Sequence, residues 1–166
     1  MAETNAVTLS LITTVTQVLD ATATPGATTP RVTHNGFNTS TTLNATSTPA
    51  VTKSATFTQA LTAGAATVDL TTLTGTNGAV VTGAGLRVQV LKIRSKSANT
   101  AAVTVAIGAS DGYDGYGSAF SVDIPAGGTV VLYAPECGTD IGAANKTLDL
   151  TSSDVDAILE FQIAMG

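Results

Sequence analysis

From residue 51 onward, short runs of alternating apolar and polar residues are separated by clusters of Gly, Asn, Asp, Ser and Pro. A period of two puts successive side chains on opposite faces of an extended strand, so each run predicts a strand. The predicted strands cover residues 54–61, 66–73, 86–95, 101–107, 119–124, 129–134, 147–151 and 157–165. The separators are turn formers: TGTNG (74–78), TGAG (82–85), GASDGYDGYG (108–117), PAGG (125–128) and GTDIGAANK (138–146). Strands at this spacing, with no helical pattern between them, predict an all-β fold. The expected architecture is a two-sheet antiparallel sandwich, either a jelly-roll or a related Greek key.

Alternation is clean in Phe120/Val122/Ile124 and in Leu148/Leu150, marking one buried and one wetted face. In 86–93 the apolar phase switches, with Leu86, Val88 and Val90 followed by Leu91 and Ile93. Such a switch predicts either a β-bulge or a strand buried on both faces. In the second case the outer face would be covered by another subunit or by the residues that precede the sandwich.

Residues 1–50 differ in character. Of 31 Thr in the chain, 25 lie in residues 1–82, and the segment 21–50 (ATATPGATTPRVTHNGFNTSTTLNATSTPA) is nearly uncharged with few large side chains. The segment 7–19 fits two periods. Leu11, Ile12, Val15, Val18 and Leu19 have helical spacing, whereas Val7, Leu9 and Leu11 alternate as in a strand. Its five Thr or Ser favour the strand, because β-branched Thr is a poor helix former. Pro25, Pro30 and Pro49 are expected to break regular structure between residues 20 and 50. The expected organisation is an extended Thr-rich arm over 1–50, able to reach roughly 165 Å when fully drawn out, and a sandwich domain over 51–166. The arm is expected to order on neighbouring subunits, with Val32, Phe37 and Leu43 as its contact residues.

Charged residues make up 11% of the chain and the net charge is −5. Phosphate binding needs clustered Lys and Arg, so nucleic acid is not expected as a partner. Aromatic content is 4% with no Trp, which predicts a core of many small contacts. A surface rich in Thr, Ser and Gly suits burial by neighbours, and a homo-oligomer is expected. Cys137 is the single cysteine, so neither an intrachain disulfide nor a zinc cluster can form. The segment MAETNAVTLS lacks the basic and apolar regions of a secretory signal, and no run approaches the ~18 apolar residues of a membrane helix. The expectation is therefore cytoplasmic synthesis without a signal peptide and no membrane partner.

Candidate chemistry is sparse. In the loop 108–117, Asp111 and Asp114 would offer two carboxylates and nearby carbonyls to a calcium ion. The loop lacks the D-x-[DN]-x-[DN]-G pattern, so the reading preferred is a surface loop whose Tyr113 and Tyr116 meet a partner. Lys92, Arg94 and Lys96 recur at period two. They would form a row facing an acidic partner, a solvated face, or a guard on a sheet edge. Glu136, Cys137 and Asp140 cluster far in sequence from His34, and no catalytic triad, glycosidase carboxylate pair or phosphate loop is recognisable. No enzyme activity, cofactor or metal is expected.

The stretches VDLTTLTGTNGAVVTGAGLRVQVLKIRS, NTAAVTVAIGASDGYDGYG, VDIPAGGTVVLYAP and KTLDLTSSDVDAILEFQIAMG complete the pattern. They form a long central strand, an Asn-started strand, a Pro-Gly-Gly hairpin and a final strand ending in Gly. This pattern, over roughly residues 65–166, resembles the small β-sandwich virion proteins of tailed bacteriophages. The resemblance implies a head decoration (cement) protein on the outer capsid surface. It would be a trimer bound to the major capsid protein or another virion protein, bridging neighbouring capsomers. The alternative is a fibre, tail-tip or adhesin-type module whose loop 108–117 binds a host receptor or glycan.

Overall fold

The computed structural model describes residues 6–11, 15–18, 31–34, 39–134 and 138–166. Its strands, in chain order, are β1 (Ala6–Leu11), β2 (Val15–Val18), β3 (Arg31–His34), β4 (Thr39–Asn44), β5 (Lys53–Ala60), β6 (Ala65–Asp69) and β7 (Leu73–Thr74). They continue as β8 (Val80–Val81), β9 (Val88–Ser95), β10 (Val103–Ile107), β11 (Ser121–Ile124), β12 (Thr129–Tyr133), β13 (Thr147–Thr151) and β14 (Ile158–Met165). No helix occurs among the described residues. The protein is all-β and sandwich-like. One four-stranded sheet has the order β12-β9-β14-β5 and the other β11-β10-β13-β6, and every pairing within them is antiparallel.

The strands follow the alternation in the sequence. Their inward rows make one core from both sheets, in which Leu91, Ile93, Leu159 and Phe161 of one sheet share a cluster with Val103, Val105, Leu148 and Leu150 of the other. Phe161 is fully buried and stacks on half-buried Phe57, with ring centroids 5.1 Å apart. Each such buried side chain contributes about 1.5–3 kcal/mol of transfer free energy. The Pro125–Gly128 turn carries the chain from β11 to β12. Gly128 N donates to Pro125 O at 2.8 Å, and Gly127 takes a φ of +74° that a type II turn requires.

One strand is shorter than predicted. β6 ends at Asp69 instead of residue 73, because Thr71 N–H and Oγ1 both donate to the Asp69 carboxylate and Thr72 N donates to Asp69 O. That local turn diverts the chain into the small β7–β8 hairpin.

The phase switch in β9 has both of its predicted causes. Ala164 pairs with Val90 but Met165 pairs with Val88, so Gln89 is an extra residue bulging from the strand. Val88 and Leu91 therefore both join the core between the sheets, while Val90 faces outward. Val90 is nevertheless buried, in a second cluster with Leu43, Val51 and Ala164, against which Val7 packs. The residues that precede the sandwich supply the cover. Gln89 Nε2 ties this region down by donating to Ala50 O at 2.7 Å.

Regular structure does occur between residues 20 and 50, contrary to expectation. β1 pairs with β4 from Ala6↔Asn44 to Leu11↔Thr39, and β2 pairs with β3 from Val15↔His34 to Val18↔Arg31. The ribbon is thus two short antiparallel ladders, β1–β4 and β2–β3, whose registers are offset by one residue. Pro49 falls outside the paired stretches, where a missing N–H costs no ladder bond, and Pro25 and Pro30 lie outside the described residues.

Candidate functional site

The outer face of the β12-β9-β14-β5 sheet is built by register. Thr129, Arg94, Glu160 and Thr58 form one row across the four strands, and Val131, Lys92, Gln162 and Thr56 form the next. Thr56, Thr58, Lys92, Arg94, Glu160 and Gln162 border a shallow depression. Arg94 Nη1 lies 3.6 Å from Glu160 Oε2, with both side chains well exposed. A pair in that setting stabilises by at most about 1 kcal/mol. β9 is an interior strand of its sheet, so Lys92 and Arg94 do not guard a sheet edge. They are exposed on a polar face, and Lys96 lies just beyond the strand.

The third row of the same face is different. Tyr133, Val90, Ala164 and Ser54 align across the sheet, and the ribbon base settles on the middle of this row. Leu43, expected to contact a partner, is 2% exposed and fills its own chain's second cluster. Val32 lies in β3 opposite Gln17. Phe37 lies outside the described residues.

The loop 108–117 is folded inward. Asp111 takes a positive φ of 52°, and its carbonyl accepts the N–H groups of Lys146 and Thr147 at 2.6 and 2.9 Å. Asp114 N donates to Asn145 Oδ1 at 2.8 Å, and Tyr113 N donates to Thr147 O at 2.9 Å. Tyr113 is 1% exposed and its hydroxyl accepts Val88 N–H at 3.1 Å. Tyr116 packs edge-on to Tyr113 with centroids 6.1 Å apart, and Phe120 follows at 5.5 Å from Tyr116. A Cβ at Gly115 would run into the Tyr113 ring, so glycine is what lets the backbone pass over it. The partner-facing role expected for Tyr113 is therefore corrected: the ring plugs the sandwich beside the β9 bulge. Of the loop carbonyls that the calcium reading offered, that of Asp111 is engaged by two amides. Among the described residues, no three His, Cys, Asp or Glu side chains converge on a point that could hold a metal ion. Glu136 and Cys137 lie outside the described residues.

The outer face of the second sheet is acidic and Thr-rich. Thr104 Oγ1 donates to Asp123, and Thr67 Oγ1 donates to Asp149 Oδ1 at 2.7 Å. Asp69 lies beside Lys146, with 3.2 Å between Oδ2 and Nζ. Partial burial works to raise the Asp69 pKa, but the two bonds from Thr71 and the nearby Lys146 ammonium outweigh it and hold the carboxyl below its ordinary value. Asp154 is also held low, chiefly by the 2.6 Å bond from Thr100 N–H. These carboxylates are engaged in local structure. What the molecule offers its surroundings is a polar sheet face, a nearly uncharged ribbon and the edges of its sheets.

Comparison with protein-family models, curated proteins and solved structures finds no match.

Proposed function

We propose that the chain is a non-enzymatic structural protein of a virion, a capsid decoration protein that bridges and stabilises neighbouring capsomers. The observation that carries this reading is the ribbon, the ladders β1–β4 and β2–β3. It is two strands wide, it contains one formal charge in its paired stretches, at Arg31, and the described side chains that seat it on the sandwich are Val7 and Leu43. A lone two-stranded hairpin is marginally stable in water. Beyond the seat, the β2–β3 ladder would gain its support from another surface, and capsomers would provide one.

The sandwich agrees with this reading without carrying it. We read it as a jelly-roll, a reading supported by the neighbours β5–β14 in one sheet and β6–β13 in the other. Jelly-rolls serve viral capsids, but also lectins and cupins, so the winding alone assigns no role. A receptor-binding role through the loop 108–117 draws little support from the geometry, since Tyr113 and Tyr116 turn inward. In the proposed mechanism the partner is the major capsid protein. The ribbon and polar sheet face clasp adjacent capsomers, and each clasp adds an interface on the order of 1,600 Å² that resists outward pressure.

The test is capsid binding by a variant that keeps the seat and loses the reach. Replacing residues 12–38 by an Asn-Gly turn retains β1, β4 and the Leu43 contact. The full chain should bind purified capsids near-stoichiometrically and raise their resistance to heat, while the shortened chain should do neither. Full decoration by the shortened chain would overturn the reading.

A further inference from the structure

The four outer strands of the sandwich are not protected equally. β5 begins with Lys53, and the hairpin residues Val80 and Val81 lie alongside its start. β6 ends in Asp69. β11 has four residues, contains Asp123 and is followed by Pro125. β12 reads Thr-Val-Val-Leu-Tyr, with no charge, proline or bulge, and it ends its sheet. Proteins normally blunt such an edge, because a row of free N–H and C=O groups on an apolar strand invites pairing. The core is also open here. Val130 and Leu132 face inward but are only partly buried, whereas Ile93 and Leu91, their cross-strand neighbours, are fully buried.

The hydrogen-bond phase of this edge is set by its bonds to β9. Ser95 N donates to Gly128 O and Ala134 N donates to Gln89 O, each at 2.9 Å. Even-numbered residues therefore bond inward to β9. Thr129, Val131 and Tyr133 turn their N–H and C=O groups to the open side.

We propose that the edge of β12 is a self-association site that pairs antiparallel with β12 of a second copy, centred on Val131. This register places Val131 opposite Val131 and Thr129 opposite Tyr133, all as hydrogen-bonded pairs. Every outward N–H meets a C=O of the other copy, giving six bonds and leaving no outward group of the three residues unpaired. Val130 and Leu132 come opposite each other on the inner side, so the half-open core gains cover from its own image. No like charges meet, because the strand carries none. The contact is isologous and two-fold, which closes the assembly at two copies and joins the two β12-β9-β14-β5 sheets into one. The three-fold association implied by the family resemblance has no place at this edge, since a strand edge accepts one partner strand.

Sedimentation over a wide range of concentration, combined with amide hydrogen exchange, tests the pairing on the full chain. The mass should rise from 16.5 kDa toward twice that value. The Thr129, Val131 and Tyr133 amides should exchange slowly in the dimer and rapidly after dilution. Val131→Pro removes an N–H that no internal bond uses, so the fold survives. It deletes two of the six bonds and should weaken dimerisation roughly thirtyfold or more. The proposal is overturned by a chain that stays monomeric throughout, by a trimer, or by a dimer whose three amides exchange as fast as in the monomer. A folded Val131→Pro protein that dimerises normally would overturn it too. If that variant does not fold, the exchange measurement on the unaltered chain decides alone.

Discussion

The Tyr113 hydroxyl holds a place that composition alone would assign to water. It accepts Val88 N–H at the bulged end of β9, and the ring is shielded by the backbone of Gly115. Tyr113→Phe keeps the ring and leaves a buried N–H without that acceptor, at a cost of about 1–3 kcal/mol. Urea denaturation should show this as a lower midpoint with an unchanged slope. Asp69 sets a second expectation at this scale. Its folded pKa lies below the ordinary 3.8, so the carboxylate stabilises the fold above pH about 4 and that contribution fades as pH falls through the lowered value. Asp69→Asn can still accept the Thr71 bonds but does not titrate. The loss of stability below pH 4 should accordingly be shallower in the variant than in the unaltered chain, as read from urea midpoints across the acid range.

Among the elements, the ribbon base has the clearest energetic signature. Leu43 covers Val90 and Ala164 on a sheet face that would otherwise be wet. Leu43→Ala should cost about 2–4 kcal/mol by removing buried methyl groups and opening a cavity. It should also make the ribbon more susceptible to proteolysis than the sandwich, which a timed digest would display. The sandwich strands were legible because one face of each is buried, and burial imposes the period of two. Even the switch from Val90 to Leu91 announced a bulge or a covered outer face, and the fold uses both. The ribbon's pairing was not legible. Asn35–Gly36, its strongest hairpin signal, lies between β3 and β4, which do not pair with each other. Nor does loop composition reveal that Tyr113 turns inward. The usable signal was Gly115, where a Cβ would meet the Tyr113 ring, beside Gly112, which lies against the Gly108 backbone.

For the molecule as a whole, strand order matters more than strand identity. It makes β12 an edge and β9 an interior strand, and no local pattern distinguishes the two. The same order has a consequence in time. β14 sits between β9 and β5, pairing with both, yet it is the last strand of the chain. The sheet cannot close from one end to the other. β5 and β9 must wait for residues 158–165 before either gains its central neighbour, so the core forms late and at the cost of closing long loops. Such topologies fold in milliseconds to seconds, not microseconds. The base of the ribbon rests on Val90 of β9 and Ala164 of β14, so it too gains its cover only when β14 arrives. A growing chain would thus complete its core and seat its extended element in the same late step.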